Sequence, residues 1–131
     1  IGRYSGFYEE EKIMWAYHGT EIQNLESIKD HGLVPRVPGD KIMWGTKALI
    51  FYSLNPQDAA EYAMFTGILI RFKEPRDGKQ FFKDSPFRIT YNKIPSSELD
   101  VFIGGVLPKR ARLEELLQSK NWTNIRNYIK S

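Results

Sequence analysis

The stretch AYHGTEIQNLESIKDHGL, residues 16–33, places one of the chain's two histidines where an apolar strand ends and a helix begins. Thr20 is positioned to cap that helix, and Gln23 three residues later completes the pattern of a capping box. Apolar residues then recur at helical spacing, and Gly32 suits the position just after a helix C-terminus. Capping therefore explains Thr20 and Gly32, but it does not explain why His18 stands at the strand end.

The composition is that of a globular protein. The chain has 131 residues, 41% of them hydrophobic and 27% charged, which predicts a single domain over residues 1–131 and argues against disorder. The absence of cysteine excludes disulfides, a thiolate nucleophile and a cysteine-ligated zinc site. Two distant histidines without clustered carboxylates also predict no metal site.

The net charge and the hydropathy pattern indicate which kinds of ligand or partner the chain can bind. The net charge of +3 is compatible with an anionic ligand such as a dinucleotide, but it is too weak to indicate a nucleic-acid binder. No apolar run approaches the length of about 18 residues that a membrane span needs, so we predict no membrane partner. Because the chain begins at Ile1, we interpret it as a processed or excised fragment, either cytoplasmic or secreted as a toxin or effector.

The predicted elements do not alternate regularly along the chain. After the first strand and helix come an irregular loop, an apolar strand, and a second helix with Asn55 as its N-cap and Pro56 as its first residue. Three more strands follow, the last over residues 100–106, and helical spacing predicts two C-terminal helices over residues 110–118 and 122–129. Strands outnumber crossover helices, so we predict an α+β domain and not a doubly wound parallel sheet.

Two strand ends carry candidate binding residues. His18 closes the first strand, the pair Tyr52 and Ser53 closes another, and a capped helix follows each at once. Side chains at such strand ends line crevices, and the free N–H groups of helix N-termini favour anionic ligands. Taken singly, His18 and Tyr52 fit structural roles; taken together, they favour a ligand site. The chain has no glycine-rich phosphate loop, which excludes a Rossmann or P-loop site.

These motifs carry a resemblance to a known family. They are YHGT (17–20), NLESIKDHGL (24–33), LIFYSLNPQDAAEYA (49–63), GILIRFKEP (67–75) and KIPSSELDVFIGGV (93–106). In them the sequence resembles the ADP-ribosyltransferase superfamily, specifically its H-Y branch, which includes the diphtheria-toxin and poly-ADP-ribose-polymerase type and small bacterial enzymes such as rifampin ADP-ribosyltransferase. The resemblance covers roughly residues 13–108. It implies a split β-sheet sandwich with short flanking helices, followed here by the two predicted C-terminal helices.

The resemblance also implies NAD as co-substrate and assigns roles to five residues. His18 would hydrogen-bond the hydroxyls of the ribose attached to nicotinamide. The backbone of Gly19 would hold the nicotinamide carboxamide, and Thr20 would lie close to the adenosine ribose. Tyr52 would stack on the nicotinamide ring, and Ser53 would contact its amide. His18 and Tyr52 are thus the first two predicted catalytic residues.

The family's third element is an acidic residue at the start of a late strand, and here the sequence departs from the pattern. Pro86, Phe87 and Arg88 stand at or near the expected position. The nearest acid is Asp84, which we predict to be the catalytic carboxylate; Glu98 and Asp100 are alternatives beyond the connector. Without an acid at the ribose, the domain would be a slow transferase or a catalytically silent NAD binder.

The function implied is that of a mono-ADP-ribosyltransferase, with two alternatives. A protein or nucleic-acid acceptor is favoured over a small molecule, because no residues forming a deep apolar pocket are evident and because Lys and Arg gather in residues 109–131. In the loop after the first helix, Arg36 and Lys41 are placed either to meet a pyrophosphate or to lie in solvent. The alternatives are an RNA 2′-phosphotransferase, disfavoured by the lack of basic groups around His18, and a non-catalytic module that binds NAD, ADP-ribose or RNA. The oligomeric state is left open.

Overall fold

A mostly antiparallel sheet organises the domain. The computed structural model describes residues 14–39, 47–62, 67–102 and 122–128. Within them, the strands lie in the order β4-β5-β2-β1-β3-β6-β7, and each neighbouring pair is antiparallel. Their bounds are β1 Trp15–Thr20, β2 Ile50–Ser53, β3 Ile68–Lys73, β4 Lys79–Gln80, β5 Phe87–Thr90, β6 Asp100–Phe102 and β7 Trp122–Asn124.

Short helices accompany the sheet, so the predicted α+β class is confirmed. The α-helices are α1 Leu25–His31 and α2 Pro56–Tyr62, and the 3-10 turns are Ile22–Asn24, Ser96–Glu98 and Ile125–Asn127. The helices lie on opposite faces of the sheet: α1 packs in the larger core with Ile70, whereas α2 packs against Leu69. Successive residues of a strand point to opposite faces, so these neighbours on β3 separate the two cores.

The larger core is the one between the sheet and α1. It draws residues from every part of the described chain, and Leu99, Val101 and Ile125 are completely buried in it. Its members are Ala16, Leu25, Ile28, Leu33, Ile50, Tyr52, Ile68, Ile70, Phe72, Ile94, Leu99, Val101 and Ile125.

The helix boundaries confirm two predictions. Gly32 has a φ of 77°, and its N–H donates to the carbonyl of Ile28 at 2.7 Å. A Cβ at this position would lie 2.3 Å from the Ile94 carbonyl oxygen, so glycine is required both by the backbone angle and by the space. At α2, the Asn55 side chain accepts from the N–H of Gln57 at 2.9 Å, and Pro56 is the first helical residue.

The predicted capping box is wrong. Thr20 is the last residue of β1 and pairs with Ile68 of β3, so the sheet holds it in the strand. Glu21 is the N-cap of the 3-10 turn and makes no side-chain cap bond. The hydroxyl of Thr20 instead accepts from the side chain of Asn24 at 2.8 Å.

The predicted helix over residues 122–129 is also wrong where the structure describes it. Trp122–Asn124 forms β7, which pairs with β6 residue by residue, and a 3-10 turn follows. The backbone of Ile125 donates to the Leu99 carbonyl at 2.9 Å, which fixes the buried Ile125 side chain in the core. Pairing with β6 therefore overrides a weak helical spacing. The other predicted helix, residues 110–118, lies outside the described residues.

Candidate functional site

Strands β1 and β2 are paired over only a short stretch, and the boundary between these two strands is here named the seam. All six residues of β1 pair with β3, but its one register pair with β2 is Tyr17 opposite Ser53. Beyond that pair, the last residues of β1 and the first residues of β2 no longer face each other as ladder partners. A crevice opens at this end of the seam, against α1 on one side and α2 on the other.

His18 bridges the seam. Its Nδ1 lies 2.7 Å from the carbonyl oxygen of Phe51 on β2. A carbonyl can only accept, so Nδ1 carries the hydrogen, and in the neutral ring Nε2 is left as an acceptor. Burial lowers the pKa of His18 below its ordinary value, although the bond to Phe51 opposes the shift. The histidine is therefore neutral at pH 7 and has one free lone pair.

The first part of the crevice is a cavity of about 290 Å³, here named the polar cavity. It lies between the end of β1, α1 and the loop after α1. Asn24 and Thr20 are joined by their own hydrogen bond, and the exposed Arg36 supplies a cation. The backbone of Arg36 is held to Leu49 by a reciprocal pair of hydrogen bonds of 2.9 and 3.0 Å. The polar cavity is lined by the polar residues His18, Thr20, Asn24, Ser27 and Arg36.

The second part is a cavity of about 510 Å³, here named the aromatic cavity. Its rings meet edge to face: Phe51 and Phe81 have centroids 4.8 Å apart, and Tyr62 and Phe87 have centroids 5.8 Å apart. None of the described residues that line it is an acid, lysine, arginine or histidine. They are Pro38, Gly39, Phe51, Tyr62, Phe81, Phe82, Ser85, Pro86 and Phe87.

A small cavity of about 60 Å³ lies between these two parts. His18, Gly19 and Ala59 contribute to its wall. Phe51 and Tyr62 line all three cavities, so the polar, small and aromatic cavities adjoin one another at these two rings and together make up the crevice. The structure thus brings together four of the residues predicted from sequence: His18, Gly19, Thr20 and Tyr52.

The side chain of Tyr52 lies in the core and is held there by polar partners. Although it borders the small cavity, its side chain is only 1% exposed, and its ring packs edge to face on Phe72 in the core. Its hydroxyl donates to Glu74 at 2.8 Å, and Arg88 donates to the same carboxylate oxygen. Burial, followed by the bond to Glu74, raises the pKa of Tyr52 far above 10. The stacking role of Tyr52 stays a prediction that this geometry does not support.

Ser53 is likewise occupied by structural bonds. It is completely buried, its hydroxyl donates to the Pro86 carbonyl at 3.0 Å, and it accepts from the N–H of Asn55 at 3.0 Å. These bonds join the end of β2 to the loop before β5 and to the start of α2. Ser53 lines a separate cavity beside Asp58 and none of the three cavities of the crevice, so its predicted amide contact stays a prediction that the geometry does not support.

The predicted acids do not line the crevice. Asp84 lies exposed in the loop before β5, with a φ of 66°. Glu98 is exposed in a 3-10 turn, and Asp100 pairs with Arg71 at 3.0 Å. Among the described residues, no carboxylate belongs to the wall of any of the three cavities. A catalytic role for Asp84 stays a prediction that the geometry does not support.

Sequence reasoning missed the ring residues of the crevice, above all Phe51 and Tyr62. In the run IFYS, Phe51 and Tyr52 are adjacent aromatics on opposite faces of a strand, and strand alternation alone does not say which face is buried. The usable signal was Tyr62, an aromatic at the end of the second helix that has no place in the core pattern. It is 67% exposed.

Two further features, metal-binding groups and membrane-spanning helices, were sought in the described part of the chain. Its Asp, Glu and His residues form no group of three or more that could hold a metal ion. None of its helices has the length and apolarity that crossing a membrane requires. Comparison of the sequence with models of known protein families and with curated proteins gives no match.

Proposed function

We propose that the crevice binds NAD and that the domain is an NAD-dependent mono-ADP-ribosyltransferase. The observation that carries this proposal is the placement of a neutral His18, bonded through Nδ1 to Phe51, where the polar cavity meets the small cavity. A free imidazole lone pair at that point is suited to accept from a ribose hydroxyl. The pairing of β1 with β2 at a single register pair, within one sheet, also favours the split sheet that the resemblance implies.

The parts of NAD match the parts of the crevice. The diphosphate is anionic, and Arg36 supplies a cation in the polar cavity, where Thr20 and Asn24 offer partners to the adenosine ribose. The nicotinamide ring of NAD is flat and positively charged. Phe51 and Tyr62 present aromatic surfaces beside His18, and a cation over an aromatic face is stabilised by about 0.5–2 kcal/mol.

The proposed reaction transfers ADP-ribose in one displacement. The bond between C1′ of the ribose and the nicotinamide nitrogen breaks, and its electron pair leaves with neutral nicotinamide. An oxygen or nitrogen of the acceptor forms the new bond to C1′, and the acceptor's proton passes to water. His18 holds the ribose hydroxyls while positive charge develops on the ring, so its contribution is chiefly orientation and electrostatic stabilisation.

One observation favours a second candidate, a non-catalytic NAD-binding module. No carboxylate of the described residues lines the crevice, so no group there neutralises the charge that develops on the ribose. An RNA 2′-phosphotransferase is less well supported. Arg36 is the one cation among the described lining residues, whereas a phosphorylated RNA requires several.

The two candidates differ in whether nicotinamide is released. NAD should raise the melting temperature of the wild type in both cases, because a ligand that binds the folded state stabilises it. A transferase also releases nicotinamide at a rate that falls in a His18→Asn variant, with His31→Gln as the matched control at an exposed histidine. Stabilisation without release in any condition identifies a binding module. If NAD neither stabilises the wild type nor is cleaved to release nicotinamide, the proposal is contradicted.

A further inference from the structure

A fourth cavity, here named the charged cavity, lies outside the crevice. Its volume is about 260 Å³, and it lies between the end of β2, the first turn of α2 and the loop before β5. Drug-sized ligands typically occupy sites of about 300–1,000 Å³, so a somewhat smaller molecule matches this cavity. Its described lining residues include one acid, Asp58, and one base, Arg88.

Asp58 brings a negative charge that the described part of the protein does not pair. The residue is half-buried, and no described residue forms a hydrogen bond or an ion pair with its carboxylate. Partial burial removes some of the water around a carboxylate and therefore increases its attraction to a nearby cation. The carboxylate of Asp58 thus favours an ammonium group on a ligand in this cavity.

Arg88 supplies the opposite charge from β5. Its Nε donates to the Glu74 carboxylate, and its Nη2 donates to the Gly78 carbonyl at 3.2 Å. The Tyr52 hydroxyl is a third hydrogen-bond partner. These contacts hold the side chain in place, yet it is still 28% exposed. Since a guanidinium has five N–H donors, Arg88 keeps donors for the carboxylate of a ligand.

The rest of the wall combines a fixed amide with apolar surface. The Nε2 of Gln80 donates to the Ser85 carbonyl at 3.0 Å, which leaves its amide oxygen as an acceptor. Leu54 and Pro86 add apolar surface, and Leu54 is itself packed against the larger core. A ligand with two opposite charges and a short apolar side chain therefore finds a partner for each of its parts.

We propose that the charged cavity binds an α-amino acid as a zwitterion, with its ammonium group at Asp58 and its carboxylate at Arg88. A simple amine would give Arg88 no partner, and a simple carboxylate would bring its charge close to Asp58 with no ammonium group between them. The cavity thus selects against ligands that carry one charge. It shares no described lining residue with the polar cavity or the small cavity, so the inference does not depend on NAD binding.

The ligand chemistry is tested with L-leucine and two analogues. The analogue 3-methylbutylamine lacks the carboxylate, and 4-methylpentanoate lacks the ammonium group. In NMR titrations of the wild type, we expect L-leucine to bind saturably, with an affinity at least about tenfold above that of either analogue. The analogues test Arg88 without replacing it, because an Arg88 variant would leave the Glu74 carboxylate without its cation.

The position of the ligand is tested with two variants. Asp58→Asn removes the charge and nearly preserves the shape, so it should weaken the binding of L-leucine by at least about tenfold. Glu26→Gln is the matched control, because Glu26 is also an acid in the first turn of a helix but does not line the charged cavity. It should change the affinity by less than about twofold.

Four results would overturn the inference. They are the absence of saturable L-leucine binding to the wild type, an analogue that binds as tightly as L-leucine, equal effects of the two variants, and displacement of L-leucine by NAD. The last result would assign the charged cavity to the NAD site. Failure of the proposed function is distinguishable, because L-leucine would then still bind to a protein that neither binds nor cleaves NAD.

Discussion

The Nδ1 atom of His18 donates to the carbonyl of Phe51 at 2.7 Å, across two strands that have ceased to pair. This side-chain bond links the two strands beyond their last register pair. It also fixes the tautomer, so that Nε2 is the acceptor. One contact thus holds the strands together and prepares the imidazole to receive a hydroxyl.

Substitutions of His18 should separate these two roles. The side-chain amide of the His18→Asn variant can donate to the Phe51 carbonyl much as Nδ1 does. The variant has no hydrogen-bond acceptor at the position of Nε2. We expect His18→Asn to remain within about 1 kcal/mol of wild-type stability, and His18→Ala to lose about 1 kcal/mol more. Both should lose most of the rise in melting temperature that NAD produces. Urea unfolding and thermal shift measure the two effects, and an intact NAD response in His18→Asn would refute the role of Nε2.

Stability should depend on pH through His18. Its pKa is lowered in the folded state from the ordinary value of 6.5, so below that value the unfolded chain binds more protons than the folded one. The contribution is fully present above about pH 6.5 and is lost as the pH falls toward the folded pKa. We expect the free energy of unfolding of the wild type to fall more steeply between pH 7.5 and 5 than that of His18→Asn. Equal slopes in the wild type and His18→Asn would contradict this role of His18.

Tyr52 and Tyr62 should give opposite phenotypes. Tyr52→Phe removes a buried hydroxyl that donates to Glu74, so it should cost about 1–3 kcal/mol while leaving the NAD response intact. Tyr62→Ala truncates a ring that is 67% exposed, so it should change stability little and weaken NAD binding by at least about tenfold. The test is chemical unfolding of both variants beside NAD titration. The reverse pattern would support the predicted stacking role of Tyr52.

Gly78 should be energetically coupled to Tyr52. A Cβ at Gly78 would lie 1.9 Å from the Tyr52 hydroxyl oxygen, so Gly78→Ala forces the ring or the turn to move and should cost about 1–3 kcal/mol. In a Tyr52→Phe background the obstructing oxygen is gone, and the same substitution should cost less. A double-mutant cycle of unfolding free energies measures the coupling. Strict additivity would show that the turn moves independently of the tyrosine.

Asp84 offers a direct test of the acid predicted from sequence. Its φ of 66° is unfavourable for a residue other than glycine, so Asp84→Gly should stabilise the fold by about 1 kcal/mol. Asp84→Asn tolerates the same backbone and removes only the charge. Because Asp84 does not line the crevice, we expect nicotinamide release by Asp84→Asn to stay within about twofold of wild type, beside Glu98→Gln as control. A loss of about a hundredfold would mark a catalytic carboxylate.

The outcome at particular residues shows what could be predicted from the sequence. Gly32 and Asn55 act through their own backbone and near neighbours, so local patterns identified their roles. Thr20 failed as a cap because pairing with β3, which is remote in sequence, holds it in a strand. The helix predicted over Trp122–Asn124 is wrong for the same reason, because these residues pair with the remote strand β6.

The site shows the same division between local and remote causes. His18, Gly19 and Thr20 are consecutive, so any fold that opens a crevice there brings them together. Whether Phe51 or Tyr52 faces the crevice depends on strand register, and the partners that hold the Tyr52 hydroxyl, Glu74 and Arg88, come from distant segments. The aromatic cavity likewise joins residues from β2, α2 and the loop before β5, which no single sequence window contains.

Calorimetric titration measures directly whether NAD binds in the crevice at the seam. The proteins to compare are the wild type, Tyr62→Ala in the crevice and His31→Gln outside it. We expect saturable binding at one site per chain for the wild type and His31→Gln, and affinity at least about tenfold weaker for Tyr62→Ala. No saturable binding to the wild type, or equal affinity in all three proteins, would contradict it.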